Sequence, residues 1–323
     1  MISRRVLLAA AIAFGAGIAT QASAQPYPNK PIKLIVPFPP GGPIDTMARL
    51  VADHMSKGLG QQVVVDNRPG AGSTIGSRAV ATAEADGYTL LFGSSGSLAV
   101  APALYVSLGL DPVKQFAPVA SVSLLPHVMV VPEQVPAKNV AEFVAYAKAN
   151  AGKLNYGAGL GTPPHLLSAL FVSKAGIDVT YVPYRGAAQS VTDMLGGRTH
   201  FTIDGTVILM PQIKAGKFRA IAMARPQRWP ELPNVPTLVE QGYPDFVIDA
   251  WTGVVAPAGT PAPIVTRLNA VINAGLATSE SKATMDRFSS IIKTGTPQEF
   301  GAFVADQGRR WSALVKLACA KVE

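Results

Sequence analysis

Four turns rich in glycine, serine or threonine each follow a strand-like segment and open a helix-like one. They lie at residues 39–45, 93–97, 157–162 and 184–186. Unpaired backbone N–H groups at a helix N-terminus, together with the helix dipole, bind anions. Glycine lets a ligand approach the backbone, and serine or threonine adds a hydroxyl group. Four such turns meeting in one cleft predict a site that holds a small carboxylate without a catalytic residue.

Two charged residues in these turns each have two interpretations. Asp45 either caps the helix that it begins or contacts a hydroxyl or amine group of a ligand. Arg185 either pairs with a ligand carboxylate or lies in solvent on its turn.

The sequence contains no established catalytic or metal-binding motif. A His-Glu-x-x-His pair, a Walker loop and a Gly-x-Ser-x-Gly elbow are all missing, and the four histidines are isolated in sequence. The glycine runs lack the dinucleotide spacing, so we expect no metal and no cofactor. An exported hydrolase or isomerase using Ser94 and His165 is an alternative that requires a base within hydrogen-bond reach of the serine. The sequence supplies no orienting acid for that pair.

The first 24 residues have the pattern of a secretory signal. Arg4 and Arg5 precede an apolar stretch at 6–18, and Ala22-Ser23-Ala24 gives a small-x-small cleavage pattern. We therefore expect export to the periplasm with cleavage after Ala24. The twin arginines partly resemble a twin-arginine export signal, so that route and the general secretory route both stay open.

Length and charge narrow the class of protein further. The chain of 323 residues is long enough for two lobes, and its one cysteine, Cys319, excludes an internal disulfide framework. The net charge is +8, and it results from 28 basic and 20 acidic residues. The basic residues are scattered and not interleaved with aromatic ones, so nucleic acid is not an expected partner. A modestly positive field instead favours the arrival of an anionic ligand.

Strand and helix patterns alternate along the mature chain, which predicts an α/β fold. Predicted strands lie at 32–36, 62–65, 88–92, 127–131, 154–156, 179–182, 201–204, 218–223 and 251–256. Predicted helices lie at 45–57, 75–85, 139–150, 164–175, 263–277 and 297–317.

Proline-rich segments at 116–126 and 225–236 mark two crossings between lobes. The first lobe would then comprise residues 25–124 and 225–323, and the second, inserted lobe residues 125–224. We expect each lobe to be a mostly parallel sheet flanked by helices. Ligands of open α/β sheets bind outside the carboxyl ends of the strands, so the site would lie in the cleft between the lobes.

Seven motifs resemble those of the Bug solute-binding proteins, the extracytoplasmic receptors of tripartite tricarboxylate transporters. They run in order through the mature chain: PFPPGGPIDTMAR at 37–49, NRPGAG at 67–72, DGYTLL at 86–91, GTPPHL at 161–166, VPYRG at 182–186, PNVPT at 233–237 and APAGTP at 256–261. The resemblance implies a two-lobed periplasmic binding protein fold of type II that closes over a small carboxylate.

The resemblance also implies the site residues and the partners. In the first lobe the residues are Phe38, Pro40, Gly41, Gly42, Asp45, Ser94 and Ser95. In the second lobe they are Gly161, Thr162, His165, Arg185, Gly186 and Asp204. The implied protein is a monomeric, non-enzymatic receptor. Its partners would be the membrane subunits of a transporter or, alternatively, a membrane-bound sensor.

Two departures from the family pattern bear on the ligand. The turn at 157–162 is shorter than usual and has Ala158 near the place where the family commonly has serine. Arg185 stands where the family usually has lysine, and its planar guanidinium offers paired donors instead of a point charge. Both changes predict a ligand of different size or polarity.

Overall fold

In a computed structural model, the structure describes residues 27–105, 109–184, 186–246 and 248–319. The predicted signal segment 1–24 and the predicted ligand residue Arg185 lie outside these ranges. None of the helices in the described ranges combines the length and the apolar composition that crossing a bilayer requires.

The first lobe is built on a six-stranded sheet with the order β11–β4–β10–β3–β1–β2. Its strands are β1 (Ile32–Val36), β2 (Val63–Asn67), β3 (Thr89–Ser94), β4 (Phe116–Leu125), β10 (Ala250–Pro257) and β11 (Ile291–Ile292). As predicted, β1 runs parallel to both β2 and β3. The expectation of a mostly parallel sheet is wrong, however, because β10 is antiparallel to β3 and β4, and β11 is antiparallel to β4. Strand β4 carries the chain out of this sheet and β10 carries it back, so these neighbours run in opposite directions.

The second lobe contains β5 (His127–Pro132), β6 (Leu154–Gly159), β7 (Val179–Tyr184), β8 (Thr202–Gly205) and β9 (Phe218–Met223). Strands β6 and β7 are parallel, and a parallel bridge between Tyr156 and Phe201 joins them to the start of β8. Strand β5 is antiparallel to β8 and β9, so this sheet is also mixed. The reason is that β5 enters from the first lobe beside the end of β8, where His127 pairs with Gly205.

Helices cover the sheets and begin at the turns described above. They are α1 (Pro43–Leu59), α2 (Thr74–Ala81), α3 (Ala101–Leu104), α4 (Pro112–Gln115), α5 (Val140–Ala149), α6 (Pro163–Ala175), α7 (Ala187–Leu195), α8 (Thr206–Lys214), α9 (Ala262–Leu276), α10 (Ser279–Arg287) and α11 (Pro297–Cys319), with short 3₁₀ and π segments at Ala71–Ser73 and Gly96–Val100. Helix α1 shows why they form there. Pro43 occupies its first turn, Met47, Val51 and Met55 lie on its buried face, and Gly60 ends it in the left-handed conformation.

Strand β4 lies in a segment that the sequence analysis assigned to a crossing. Prolines at 118 and 126 were interpreted there as breaks, but only Pro126 interrupts the strands, since it lies between β4 and β5. Pro118 is accommodated inside the strand beside a register shift between Val254 and Val255, where proline is tolerated. The predicted boundaries at 124/125 and 224/225 stay a prediction.

The two lobes share buried packing. Helix α11 packs against β4 of the first lobe and against α6 of the second. One continuous buried cluster contains Trp251 and Trp311 from the first lobe together with Phe143, Phe171 and Phe201 from the second. Closely packed side chains therefore connect the two lobes.

Candidate functional site

The parallel strands of each lobe bring the candidate loops to one edge. The carboxyl ends of β1, β2 and β3 lie together in the first lobe, and those of β6, β7 and β8 lie together in the second. The two lobes touch at these loops. A Cβ atom added to Gly161 would lie 2.5 Å from Cδ1 of Leu104, so the backbone of the second-lobe loop lies directly against a first-lobe side chain.

The first-lobe loop is held by Asp45. Gly41 has the left-handed φ of 85° and donates its N–H to Oδ2 of Asp45 at 2.9 Å. Arg49 Nε donates to the same oxygen at 2.9 Å, and Asn67 Nδ2 donates to Oδ1 at 2.9 Å. Burial by itself raises the pKa of Asp45, but these hydrogen bonds outweigh it and lower the pKa below its ordinary value. The Asp45 carboxylate therefore fixes the loop that precedes α1, whose N-cap residue is Gly42, and its contact with a ligand stays a prediction.

This arrangement leaves backbone donors open at the start of α1. Gly42 is the N-cap residue and provides no capping side chain. Among the described residues, no acceptor takes the N–H groups of Gly42, Ile44 and Asp45, while Thr46 N donates to Gly42 O. Unpaired N–H groups at the positive end of a helix are able to bind an anion, so this turn is a candidate anion site. Phe38 and Pro40 precede them in the same loop, and Asn67 Nδ2 fixes that loop by donating to Phe38 O.

In the second-lobe loop a glycine again donates its N–H to the side chain four residues later, but that side chain is a histidine. Gly161 has a left-handed φ of 70° and donates its N–H to Nδ1 of His165 at 3.2 Å. Thr162 is the N-cap residue, and both its N–H and its hydroxyl donate to Gly159 O. Because Pro163 and Pro164 lack N–H groups, this loop offers fewer donors than its first-lobe counterpart.

His165 is neutral in this arrangement. Its side chain is buried, it stacks on Tyr181 with 4.1 Å between ring centroids, and burial lowers its pKa. Since Nδ1 accepts from Gly161, the ring proton lies on Nε2, for which the described residues provide no partner. The imidazole ring therefore fixes its loop by accepting a backbone N–H, as the Asp45 carboxylate does, but the ring carries no charge.

Ser94 and Ser95 are buried where β3 leads into the π segment. Ser94 N–H donates to Ser97 Oγ at 2.9 Å, and Ser97 Oγ donates to Ser94 O at 3.2 Å. Ser97 N–H also donates to Ser94 Oγ at 3.4 Å. The described hydrogen bonds include none between Ser94 and His165, each of which is engaged within its own loop. The geometry thus gives no support to a serine–histidine nucleophile.

Gly186 and Asp204 complete the second-lobe edge. Gly186 is the N-cap residue of α7 and has extended backbone. Asp204 lies in β8 and is 7% exposed, and its Oδ1 accepts the N–H of Gly205 at 2.6 Å. Burial raises the pKa of Asp204 to about 7.

Two residues of the site were missed by the sequence analysis. Asn67 was noted only within a turn, yet its amide connects the first loop to Asp45. Its place at the end of a strand beside β1 was the available signal. Leu104 contacts the opposite lobe, and nothing in the pattern of 101–105 indicated that contact.

Two α/β lobes joined by paired crossings, with helix N-termini opening at their facing edges, define a two-lobed solute-binding protein of type II. The model of the family described as "Tripartite tricarboxylate transporter family receptor" matches residues 47–319. The chain belongs to this family, and the resemblance to Bug proteins inferred from its motifs is confirmed.

Individual relatives are similar over nearly the whole chain. Protein BugT of Bordetella pertussis is 39% identical over 313 residues, which cover 95% of this chain and 95% of BugT. The structure of Rpa4515 of R. palustris with adipate has a TM-score of 0.77 and 35% identity, covering 90% of this chain and 98% of that protein. MatC of Rhodopseudomonas palustris with bound malate has a TM-score of 0.75 and 34% identity, covering 90% and 100%.

Proposed function

We propose that this chain is an extracytoplasmic receptor that captures a small carboxylate between its lobes and delivers it to the membrane subunits of a tripartite tricarboxylate transporter. The observation that carries the proposal is the set of open N–H groups on Gly42, Ile44 and Asp45. They lie at the edge where the first lobe meets the Gly161 loop of the second. Closure of the lobes on the ligand would bury it and present the closed form to the membrane partner.

We also propose which residues bind the ligand. Backbone groups of the loops supply most of the contacts, and the side chains of Asp45 and His165 hold these loops in place. The proposed set is Phe38, Pro40, Gly41, Gly42, Asp45, Ser94, Ser95, Gly161, Thr162, His165, Arg185, Gly186 and Asp204. The dicarboxylates adipate and malate named in two related structures support a carboxylate as the ligand class.

The remaining features of the proposal follow from this role. The protein works in the periplasm as a monomer, after removal of residues 1–24, and performs no catalysis. The secretory pattern of that segment and the family to which the chain belongs support this location.

A thermal-shift screen of organic acids tests the proposed function. A ligand that binds only the folded protein raises the melting temperature by mass action, so at least one carboxylate should raise it in a concentration-dependent way. If no organic acid did so at any concentration, the carboxylate-receptor function would be rejected.

The variant Ile44→Pro tests the anion site itself. It removes one open N–H group while copying the Pro163-Pro164 arrangement that the second lobe already contains. Proline is compatible with the first turn of a helix, so the fold should persist. Losing one hydrogen bond to a charged group should weaken carboxylate binding about tenfold or more. The control Ile44→Ala shortens the same side chain but keeps the N–H, and equal affinities of the two variants would place the carboxylate elsewhere.

A further inference from the structure

We propose that His165 is a positioning residue that makes the binding loop of the second lobe sensitive to pH, because protonation of its ring removes the acceptor for Gly161 N–H and releases the loop. The first-lobe loop, which Asp45 holds, keeps its hydrogen bond over the same range of pH. The inference rests on the proposed function for its effect on the ligand, whose capture weakens in acid.

The hydrogen bond between Gly161 and His165 requires a neutral imidazole ring. Gly161 N–H donates to Nδ1 at 3.2 Å, so Nδ1 carries a lone pair and the ring proton lies on Nε2. A protonated ring carries a proton on both nitrogens and has no acceptor left. Two N–H groups would then point at each other, so the ring and the backbone of the loop must move apart.

The corresponding hydrogen bond in the first lobe does not depend on a neutral side chain. Gly41 N–H donates to a carboxylate oxygen of Asp45, which also accepts hydrogen bonds from Arg49 and Asn67. Burial raises the pKa of Asp45, but these bonds outweigh it and hold the pKa below its ordinary value. The carboxylate therefore stays ionised while the pH falls through the ordinary histidine range, and the two loops respond differently to mild acid.

Burial sets the range of pH in which the second-lobe loop responds. His165 is only 1% exposed, and burial lowers its pKa because a charged ring would lose its solvating water. The ring is therefore neutral at and above the ordinary histidine pKa of about 6.5, and it takes up a proton as the pH falls through the lowered value. The hydrogen bond to Gly161 is intact at neutral pH and is lost in acid.

The groups packed around the ring include one other candidate for titration in this range. Tyr181 of β7 stacks on the ring and Tyr156 of β6 lies against Tyr181, but burial raises the pKa of both phenols. Helix α6 also packs against β8, which contains Asp204, and burial raises the pKa of Asp204 to about 7. The lowered pKa of His165 has burial as its cause, with no contribution from a neighbouring charge. The charged residues of α11, which packs against α6 as well, are Glu299, Asp306, Arg309, Arg310 and Lys316.

Nuclear magnetic resonance of the ligand-free protein tests the loop directly. Between about pH 7.5 and about pH 5, the amide resonance of Gly161 should move with the same midpoint as the His165 ring, and its proton should shift upfield as the hydrogen bond is lost. The amide resonance of Gly41 is the internal reference and should stay in place, since its acceptor remains ionised. A Gly161 resonance that does not follow His165, or a His165 midpoint above about 6.5, would overturn the inference.

Variants of two histidines assign the response to position 165. The amide oxygen in His165→Asn takes the place of Nδ1 and accepts a hydrogen bond without titrating, so the Gly161 resonance should no longer follow the pH. His200 also accepts a backbone N–H at Nδ1, from Asn155 at 3.0 Å, but at the start of β6, away from the loop. The control His200→Asn should therefore leave the response of Gly161 in place. The same result is expected for Asp204→Asn, and loss of the response in either control would overturn the assignment to His165.

The effect on the ligand is measured by calorimetric titration with adipate and with malate at the same two values of pH. The ratio of affinities, neutral over acid, should be at least about threefold larger in the unmodified protein and in His200→Asn than in His165→Asn. Protonation of the acids themselves is common to all three proteins and cancels in this comparison. Equal ratios, or a smaller ratio in the unmodified protein, would overturn the effect on capture. Failure of every organic acid to bind would instead reject the proposed function, while the resonances of the ligand-free protein still decide whether His165 releases the loop.

Discussion

At the scale of single residues, each lobe holds its binding loop by the same kind of hydrogen bond, but the accepting side chain differs between the lobes. A left-handed glycine donates its N–H to the side chain four residues later, an acid at Asp45 and a neutral imidazole at His165. The first loop, braced by a carboxylate, leaves three N–H groups open at the helix start. The second, with two prolines, leaves fewer. The Gly41 loop therefore offers more open N–H groups to an anion than the Gly161 loop does.

The carboxylate of Asp45 should stabilise the fold. Replacing it with alanine removes three charge-assisted hydrogen bonds, and the loss of even one strong bond of this kind costs about 1.5–3 kcal/mol of unfolding free energy. Because the pKa of Asp45 is lowered in the fold, this stabilisation is present at neutral pH and disappears as the pH falls below the ordinary carboxylate range of about 4. Urea unfolding of Asp45→Ala and the unmodified protein across pH measures it.

A control for this prediction lies in the same helix. Asp53 is exposed and pairs with Lys57 four residues later, just as Asp45 pairs with Arg49. Asp53→Ala should change the unfolding free energy by less than about 1 kcal/mol. Equal losses in the two variants, or a difference that persists unchanged in acid, would contradict the role given to Asp45.

Single site residues could be predicted from the sequence where their residue type occurs in few structural contexts, such as glycine in a left-handed turn. Gly41, Asp45, Gly161 and His165 were identified from turn and helix-start chemistry together with family motifs. The hydrogen bond from Asn67 to Asp45 could not be foreseen, because it depends on β2 lying beside β1, whereas the Arg49–Asp45 pair has the i,i+4 spacing of a single helix. Whether these residues contact the ligand stays a prediction.

At the scale of elements, local patterns predicted which segments form strands and helices but not the direction of every strand. The β1–α1–β2–α2–β3 unit was predicted correctly as parallel, since helical crossovers impose that direction. The antiparallel course of β10 depends on where the chain re-enters the first lobe, which no local pattern encodes. Strand β4 was missed because Pro118 within it and Pro126 directly after it resemble the prolines of a linker.

The contact between the Gly161 loop and α3 should matter for ligand binding. A methyl group in Gly161→Ala would overlap Leu104 Cδ1, so the end of that side chain must move where the lobes meet, and ligand affinity should fall about threefold or more. Isothermal titration of a bound acid measures the loss.

Gly176→Ala separates this effect from backbone strain. Gly176 is the C-cap residue of α6, the helix that follows the Gly161 loop, and it has a similar left-handed φ of 59°. Nothing lies within 4 Å of a Cβ atom added to Gly176. Both substitutions impose the strain of a left-handed alanine, about 1 kcal/mol, and should lower the melting temperature alike. An equal loss of affinity in Gly176→Ala would mean that strain, and not contact between lobes, is responsible.

At the scale of the whole molecule, the shared packing of α11 makes one folding unit of two lobes. Calorimetry of the ligand-free protein should therefore give a single transition whose calorimetric and van't Hoff enthalpies agree. Trp311→Ala removes a fully buried side chain from the shared cluster and should lower stability by about 3–5 kcal/mol without splitting that transition. Trp229→Ala provides a comparison within a separate buried cluster, in which Trp229 packs with residues of β5, β9 and α8. Two transitions, with only one shifted by Trp311→Ala, would mean that the lobes unfold independently.

The place of β10 in the first sheet has a consequence for biosynthesis. This strand, Ala250–Pro257, lies between β3 and β4, and among the described strands it alone joins those two halves of the sheet. A chain emerging from the ribosome therefore carries two unfinished sheet edges until roughly its last quarter has been made. It cannot complete the first lobe earlier, because the central strand is encoded late. If the chain is exported by the general secretory route, which carries unfolded polypeptides, this order delays the folded state until late in synthesis.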